Sequence, residues 1–200
     1  MRRFLLSVSL VALLAQAVHA QTIWYVDGDA LTNGFGTAWG SPFNNLPSAL
    51  TAASNLNDPQ DEIWVKASAL PYTPASTTST FQLEANVGVY GGFDGTETSR
   101  NERDFLNNET TLSGELGSPG HGDNVENIVT GATGNSTFVL DGFTITGADN
   151  HGIFNSTGAN GLYRNLIIED NDSLYDGFGG HVGSKLESGN HILHNQKQPN

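Results

Sequence analysis

A short apolar run returns about every 24 residues along this 200-residue chain, and that spacing limits what the chain can fold into. Ile63-Trp64-Val65 is followed 24 residues on by Val87-Gly88-Val89-Tyr90, and Thr111-Leu112 comes 24 after that. Phe143-Thr144-Ile145, Leu166-Ile167-Ile168 and His191-Ile192-Leu193 come later, stepped by 23 and then 25. A fixed period of about 20 to 50 residues marks a repeat architecture. The unit is a short strand bounded by Gly- and Asn-rich turns, both residue types that tolerate positive φ.

The region from Phe138 is the most regular. Leu140 to Gly147 aligns with Tyr163 to Asp170, and then with Ser188 to Asn195. Apolar residues fill both outer positions of the triplet, 143 and 145, then 166 and 168. A period of two puts those side chains on one face of a strand. Stacking the copies buries that face in a parallel sheet. A passage of 23–25 residues holds three short strands and three turns, one rung of a right-handed parallel β-helix. A leucine-rich repeat has a similar period but needs several Leu per copy, and these copies carry one or two. The expected fold is therefore all-β: a right-handed parallel β-helix solenoid over residues 61–200, behind an N-terminal strand-helix cap over 21–60.

Within the cap, Thr22 to Val26 is β-branched and aromatic and reads as a strand. Leu46 to Leu56 has helical spacing, with Asn45 as N-cap and Pro47 in the first turn. An exposed terminal coil has to be capped. Further rungs and strands are expected at Asp61–Lys66, Phe81–Leu83, Val87–Tyr90 and Asn127–Gly131, and Thr111–Gly114 returns to the core. Polar excursions at 67–80, 96–110 and 118–124 interrupt the period, and a ligand surface is expected there.

Residues 1–20 read as a secretory signal peptide. Met1-Arg2-Arg3 is followed by an apolar run from Phe4 to Ala15 and by small residues three apart in Val18-His19-Ala20. The run is shorter than the ~20 residues needed to cross a bilayer, so no membrane span is expected. The chain has no Cys, so neither a disulfide nor a lipid-modified cysteine is available. Removing Arg2 and Arg3 from the 8 basic residues leaves 6 against 21 acidic ones, a formal charge of −15. Nucleic acid and anionic membrane surfaces call for Lys/Arg clusters and are not expected partners. A polyanionic polysaccharide would need bridging metal ions.

Several stretches together carry a family resemblance. They are Trp24-Tyr25-Val26-Asp27, Ala49-Leu50-Thr51-Ala52-Ala53, Asp61-Glu62-Ile63-Trp64-Val65, Val89 to Gly95 with Glu97, Thr111-Leu112-Ser113-Gly114, and Leu140 to Gly147. In order and spacing the chain resembles secreted right-handed parallel β-helix proteins of the pectin-lyase-like class. Among these it is most similar to bacterial proteins related to polymorphic outer-membrane and autotransporter passenger repeats. Gly179-Gly180-His181-Val182 and Ile192-Leu193-His194-Asn195 look like degenerate forms of that group's repeat elements. The resemblance implies further coils and often a C-terminal sorting or barrel domain. The chain stops at Gln198-Pro199-Asn200 after an incomplete rung, so a truncated gene, a fragment or a short member is expected.

Candidate chemistry is sparse. Glu169, Asp170, Asp172 and Asp176 form the densest acidic cluster. Carboxylates at alternating positions can converge on Ca²⁺, which takes 6–8 oxygen ligands, and the same residues also read as a solvated turn. Asp27 and Asp29 flank Gly28 in an ordinary turn. A lyase of the resembled class needs Ca²⁺ carboxylates and a nearby Arg or Lys base, and Arg164 lies one rung from Asp141. A hydrolase would use a carboxylate pair, for which Asp141 and Asp149 are the candidates. His151 reads as a base, a metal ligand or part of a turn. His191 and His194 face opposite sides of a strand. Asn165, Asn171 and Asn195 read as turn residues whose side chains bond between coils. The Asn-x-Ser/Thr triplets at 108, 135, 155 and 171 match chance in an Asn- and Thr-rich chain.

No catalytic residue is assigned, and no cofactor is expected beyond the Ca²⁺ that the acidic cluster would take. The expected role is that of a secreted or cell-surface protein of a Gram-negative-type bacterium. It would be non-catalytic, serving adhesion, carbohydrate binding or structure, with extracellular polysaccharide or cell-surface components as partners. The alternative is a polysaccharide lyase or glycosidase of the same fold.

Overall fold

The computed structural model describes residues 21–54, 60–117, 120–134, 136–155, 159–176, 185–186 and 192–194. The expected signal segment at 1–20, Gly179 to Val182, His191 and Asn195 lie outside them. The strands are β1 (Ile23–Val26), β2 (Asp61–Lys66), β3 (Phe81–Gln82), β4 (Val87–Phe93), β5 (Thr111–Ser113), β6 (Asn127–Thr130) and β7 (Thr137–Asp141). They continue with β8 (Thr144–Thr146), β9 (His151–Phe154), β10 (Asn160–Arg164), β11 (Ile167–Glu169), β12 (Ser173–Asp176), β13 (Lys185–Leu186) and β14 (Ile192–His194). A single α-helix, α1 (Leu46–Ser54), and short 3₁₀ turns at Arg100–Glu102 and His121–Asp123 complete the described elements.

The fold is all-β in character, and its strands form three parallel sheets. The first runs β1-β2-β4-β7-β10-β13, the second β5-β8-β11-β14, and the third β3-β6-β9-β12. From β4 onward the chain visits the first, second and third sheets in turn. Parallel neighbours cannot be joined by a hairpin and need a long crossover. From β4 onward each crossover is made of the strands that belong to the other two sheets, whereas β1 reaches β2 through α1 and β2 reaches β4 through β3 alone.

The alignment read from the sequence is the register of the sheets. Leu140 lies opposite Tyr163, Ile145 opposite Ile168, and Ile168 opposite Leu193. The stretch Leu140–Gly147 is two strands rather than one. It bends at Gly142, which takes φ +86° between β7 and β8. The earlier part of the 24-residue rhythm is corrected. Ile63 pairs with Val89, 26 residues on, and the next first-sheet partner of Val89 is Leu140, 51 further. Thr111-Leu112 belongs to the second sheet, beside Thr144-Ile145. Loops after β4 and β5 lengthen that passage. An apolar triplet looks the same whichever sheet it enters, because all three face one core.

That core is built in rows. Ile63, Val89, Leu140 and Tyr163 are successive first-sheet partners and none is more than 1% exposed. Leu112, Ile145 and Ile168 form the second-sheet row, and Phe81, Val129 and Ile153 the third. All belong to one continuous apolar cluster. Full burial of such a side chain contributes roughly 1.5–3 kcal/mol each. Phe138 lies opposite Gly161, whose missing side chain makes room for the ring: a Cβ there would come within 2.4 Å of it.

At the N-terminal end, Asn45 caps α1 by accepting from the Ser48 amide at 2.9 Å. The helix buries Leu46, Ala49, Leu50 and Ala53 against β1, β2 and β3. β1 is the edge of the first sheet, and an open edge is a template for aggregation. The following chain covers it. Tyr25 donates to Gly36 O, while Phe43 donates to Tyr25 O and Asp27 to Phe43 O.

Candidate functional site

Strand alternation places two outward rows side by side on the first sheet. Glu62, Gly88, Val139 and Leu162 form one, and Trp64, Tyr90, Asp141 and Arg164 the other. Gly88 leaves a gap in the first row. A Cβ there would lie 2.5 Å from the Tyr90 ring, so glycine is what lets the ring lie alongside the strand. The gap opens a groove of about 500 Å³ across β2, β4, β7 and β10. Gln21, Gln60, Asn86, Thr137 and Asn160 bring polar groups to its wall, and Tyr90, Val139 and Leu162 bring apolar surface.

The charges beside this groove are already matched. Glu62 accepts from the Arg100 guanidinium, from Gln21 Nε2 at 3.0 Å and from Trp64 Nε1 at 2.7 Å. Asp61 accepts from the Thr22 amide at 2.9 Å and from Trp24 Nε1 at 3.2 Å. The Arg100 guanidinium stands 4.5 Å over the Tyr90 ring, and that of Arg103 stands 5.4 Å away. Arg103 pairs with Asp141 at 2.8 Å and donates to the carbonyls of Gly91 and Asp141. Burial pushes the Tyr90 phenol above its ordinary range, with the two guanidiniums opposing the rise and the Glu62 and Asp141 carboxylates adding to it.

Both arginines come from the polar excursion after β4, which is folded over the outer face of the sheet. Glu97 shapes its start by accepting from the amides of Asp94, Gly95 and Thr96. Trp39 Nε1 donates to Glu97 O at 3.0 Å. Beneath it, Trp64 stacks on Phe93 at 4.8 Å and 12°, Tyr25 packs edge-on against Trp64 and Trp39, and Trp39 lies tilted against Phe93. Trp64 and Phe93 are no more than 2% exposed, so they are packing rather than a ligand platform. Tyr90 and Phe138 are the aromatic residues that line the groove.

The residues singled out from the sequence fall in several places. Asp141 is 4% exposed and also accepts from Asn165 Nδ2 at 2.8 Å, so its carboxylate is enclosed by Arg103 and Asn165. Arg164 is its half-buried register neighbour in β10. Asp149 lies exposed on the turn from β8 to β9. Glu169 ends β11, Asp170 takes φ +49°, and Asp172 is exposed. Asp176 ends β12, with its side chain outside the described residues. Among the described residues, no three His, Asp or Glu side chains converge as a metal set.

Asp27 pairs with Lys66 at 2.8 Å, and Asp29 accepts from Ser68 Oγ and the Ala69 amide. His151 Nδ1 meets Asn127 Oδ1 across β9 and β6 at 2.9 Å. Asn171 is 2% exposed and bonds between passes: it accepts from the Ala148 amide and donates to Ile145 O and Glu169 O. Gly88, Tyr90, Arg100 and Arg103 were missed by sequence reasoning. Two of the chain's few basic residues in one polar loop were the available signal. Their aromatic and acidic partners lie at distant positions that no local pattern connects.

No family model matches this chain, and no curated protein or solved structure does either.

Proposed function

We propose that the chain is a secreted right-handed parallel β-helix whose first-sheet groove holds a segment of extracellular polysaccharide without cleaving it. The observation that carries this reading is a groove lined by amides, hydroxyls and apolar surface, in which the nearby carboxylates are spent on fixed partners. Sugars present alternating C–H and O–H faces, and an apolar wall with a few placed polar groups suits them. A general acid or nucleophile needs a carboxylate free to reach the glycosidic bond. Glu62, Asp61 and Asp141 instead hold strands and loops together.

The β-helix reading is supported by three parallel sheets visited in turn and by the resemblance of residues 22–147 to that class. The N-terminal 20 residues support export, and the acidic balance favours a neutral glycan over a polyanion. The rival reading, a lyase or glycosidase of the same fold, draws on Arg164 standing beside Asp141 in register.

The test is a panel of soluble polysaccharides offered to the secreted protein with and without Ca²⁺, followed by affinity electrophoresis and product analysis. Retardation by a neutral glycan, weakened at least tenfold in Tyr90→Ala, with no new reducing ends or unsaturated sugars, is the expected result. Product formation overturns the non-catalytic reading. A panel that binds nothing overturns the polysaccharide reading.

A further inference from the structure

Away from the groove, a polar cavity of about 490 Å³ lies where three turns meet. The turns precede β3, β6 and β9, and backbone bonds hold them in register. Glu126 N donates to Thr77 O at 2.8 Å, Asp149 N to Val125 O at 2.9 Å, and Asn150 N to Glu126 O at 3.1 Å. The wall carries oxygen on Thr77, Thr78, Asn124, Glu126, Asp149 and Asn150.

Asn124 is the informative member. It is 4% exposed, and its amide donates to Gly147 O at 2.7 Å. A carbonyl can only accept, so the atom facing Gly147 must be the nitrogen, and the other branch of the amide is an oxygen. That Oδ1 is buried and has no hydrogen-bond partner. A buried acceptor left unpaired is costly, and such a group calls for an explanation. Glu126 and Asp149, both exposed, add two carboxylates to the same cavity in a chain of net charge −13. Like charges on adjacent turns repel each other unless a cation lies between them.

We propose that this corner is a Ca²⁺ site, distinct from the Glu169–Asp172 cluster. The Glu126 and Asp149 carboxylates supply the charge, and Asn124 Oδ1 and the Thr77 and Thr78 hydroxyls supply neutral oxygens. An all-oxygen set on flexible side chains suits Ca²⁺, which accepts irregular shells of 6–8 ligands, better than Mg²⁺, which demands a near-ideal octahedron. Binding would tie together turns from three separate passages of the chain.

The experiment uses the secreted chain, stripped with EGTA and titrated with CaCl₂ by calorimetry and thermal unfolding. One ion per chain and a melting midpoint raised by about 5 °C at saturating Ca²⁺ are expected. In the E126Q/D149N variant both effects disappear while the Ca²⁺-free midpoint does not fall, and in E169Q/D172N both persist. No heat and no shift in the unmodified chain, or binding that survives E126Q/D149N, overturns the proposal. An equal response to MgCl₂ overturns the assignment to Ca²⁺. Should the double variant not fold, D149N alone decides: affinity weakened at least tenfold supports the site, and unchanged affinity overturns it.

Discussion

Gly142 and Arg103 show how single residues hold the first sheet to the chain above it. Gly142 sits at φ +86°, where a side chain is strained, and a Cβ there would come within 2.7 Å of Arg103 Nη1 and 2.9 Å of Gly91 O. Gly142→Ala is therefore expected to destabilise by about 2–4 kcal/mol, combining left-handed strain with the clash, as read from urea unfolding midpoints. Arg103 and Asp141 have side chains 10% and 6% exposed. Removing one partner leaves an uncompensated buried charge, so Arg103→Ala is expected to cost about 3–5 kcal/mol. The double variant with Asp141→Asn should cost less than the sum of the two single changes; strict additivity in that cycle would refute the coupling. At this scale the sequence was half legible. Asp141-Gly142 reads as a strand-turn element from its two residues alone. Its partner Arg103 lies 38 positions earlier in a polar stretch with no periodicity, and only the fold brings the two together.

The elements differ in what holds them. α1 was readable because its cap, its apolar spacing and its length are local properties, and Asn45 is the capping residue. Asn45→Ala is expected to cost about 1 kcal/mol, because the Ser48 amide loses its acceptor. Alternation likewise marked β2 and β4. The excursion after β4 has no such signature, because side-chain carboxylates organise it in place of an apolar face. Asp94 accepts from the Thr96 hydroxyl and amide, Glu102 from the amides of Thr98 and Ser99, and Asp104 from Asn107 and Leu106. These bonds hold all three carboxylates below their ordinary pKa values, led by the Thr96 hydroxyl, the Thr98 amide and the Asn107 side chain respectively. The sign follows from linkage. A depressed folded pKa means the unfolded chain binds more protons, so the contribution is complete above the ordinary carboxylate range. It is lost as pH falls through about 4 and below. Protection of the Thr96, Thr98 and Ser99 amides, taken against the intrinsic exchange rate at each pH, should fall in that window while amides of β4 stay protected. Simultaneous loss in both would show that the loop does not open independently.

Across the whole molecule, stability comes from rows that run through neighbouring strands instead of from a centre. The row Ile63, Val89, Leu140, Tyr163 crosses four strands, and each member lies in register with the one before and the one after in its sheet. The most regular stretch, 138–170, was legible to the register because consecutive copies there are separated by turns alone. The passage from β4 to β7 was not, because two loops nearly double its length, and chain distance ceases to report sheet distance. The row arrangement has a physical consequence. Leu140 is fully buried between Val89 and Tyr163, so Leu140→Ala removes contacts from two interfaces and should cost about 2–5 kcal/mol. Where packed layers contact only their neighbours, such a loss stays near the lesion, and the exchange pattern tests whether that holds here. Hydrogen exchange read by mass spectrometry is expected to show faster exchange in β4, β7 and β10, with α1 and β1 unchanged. A uniform loss of protection that includes α1, five strands' worth of chain away in sequence but part of the same apolar cluster, would show that the core unfolds as one cooperative unit and that the layers are not separable.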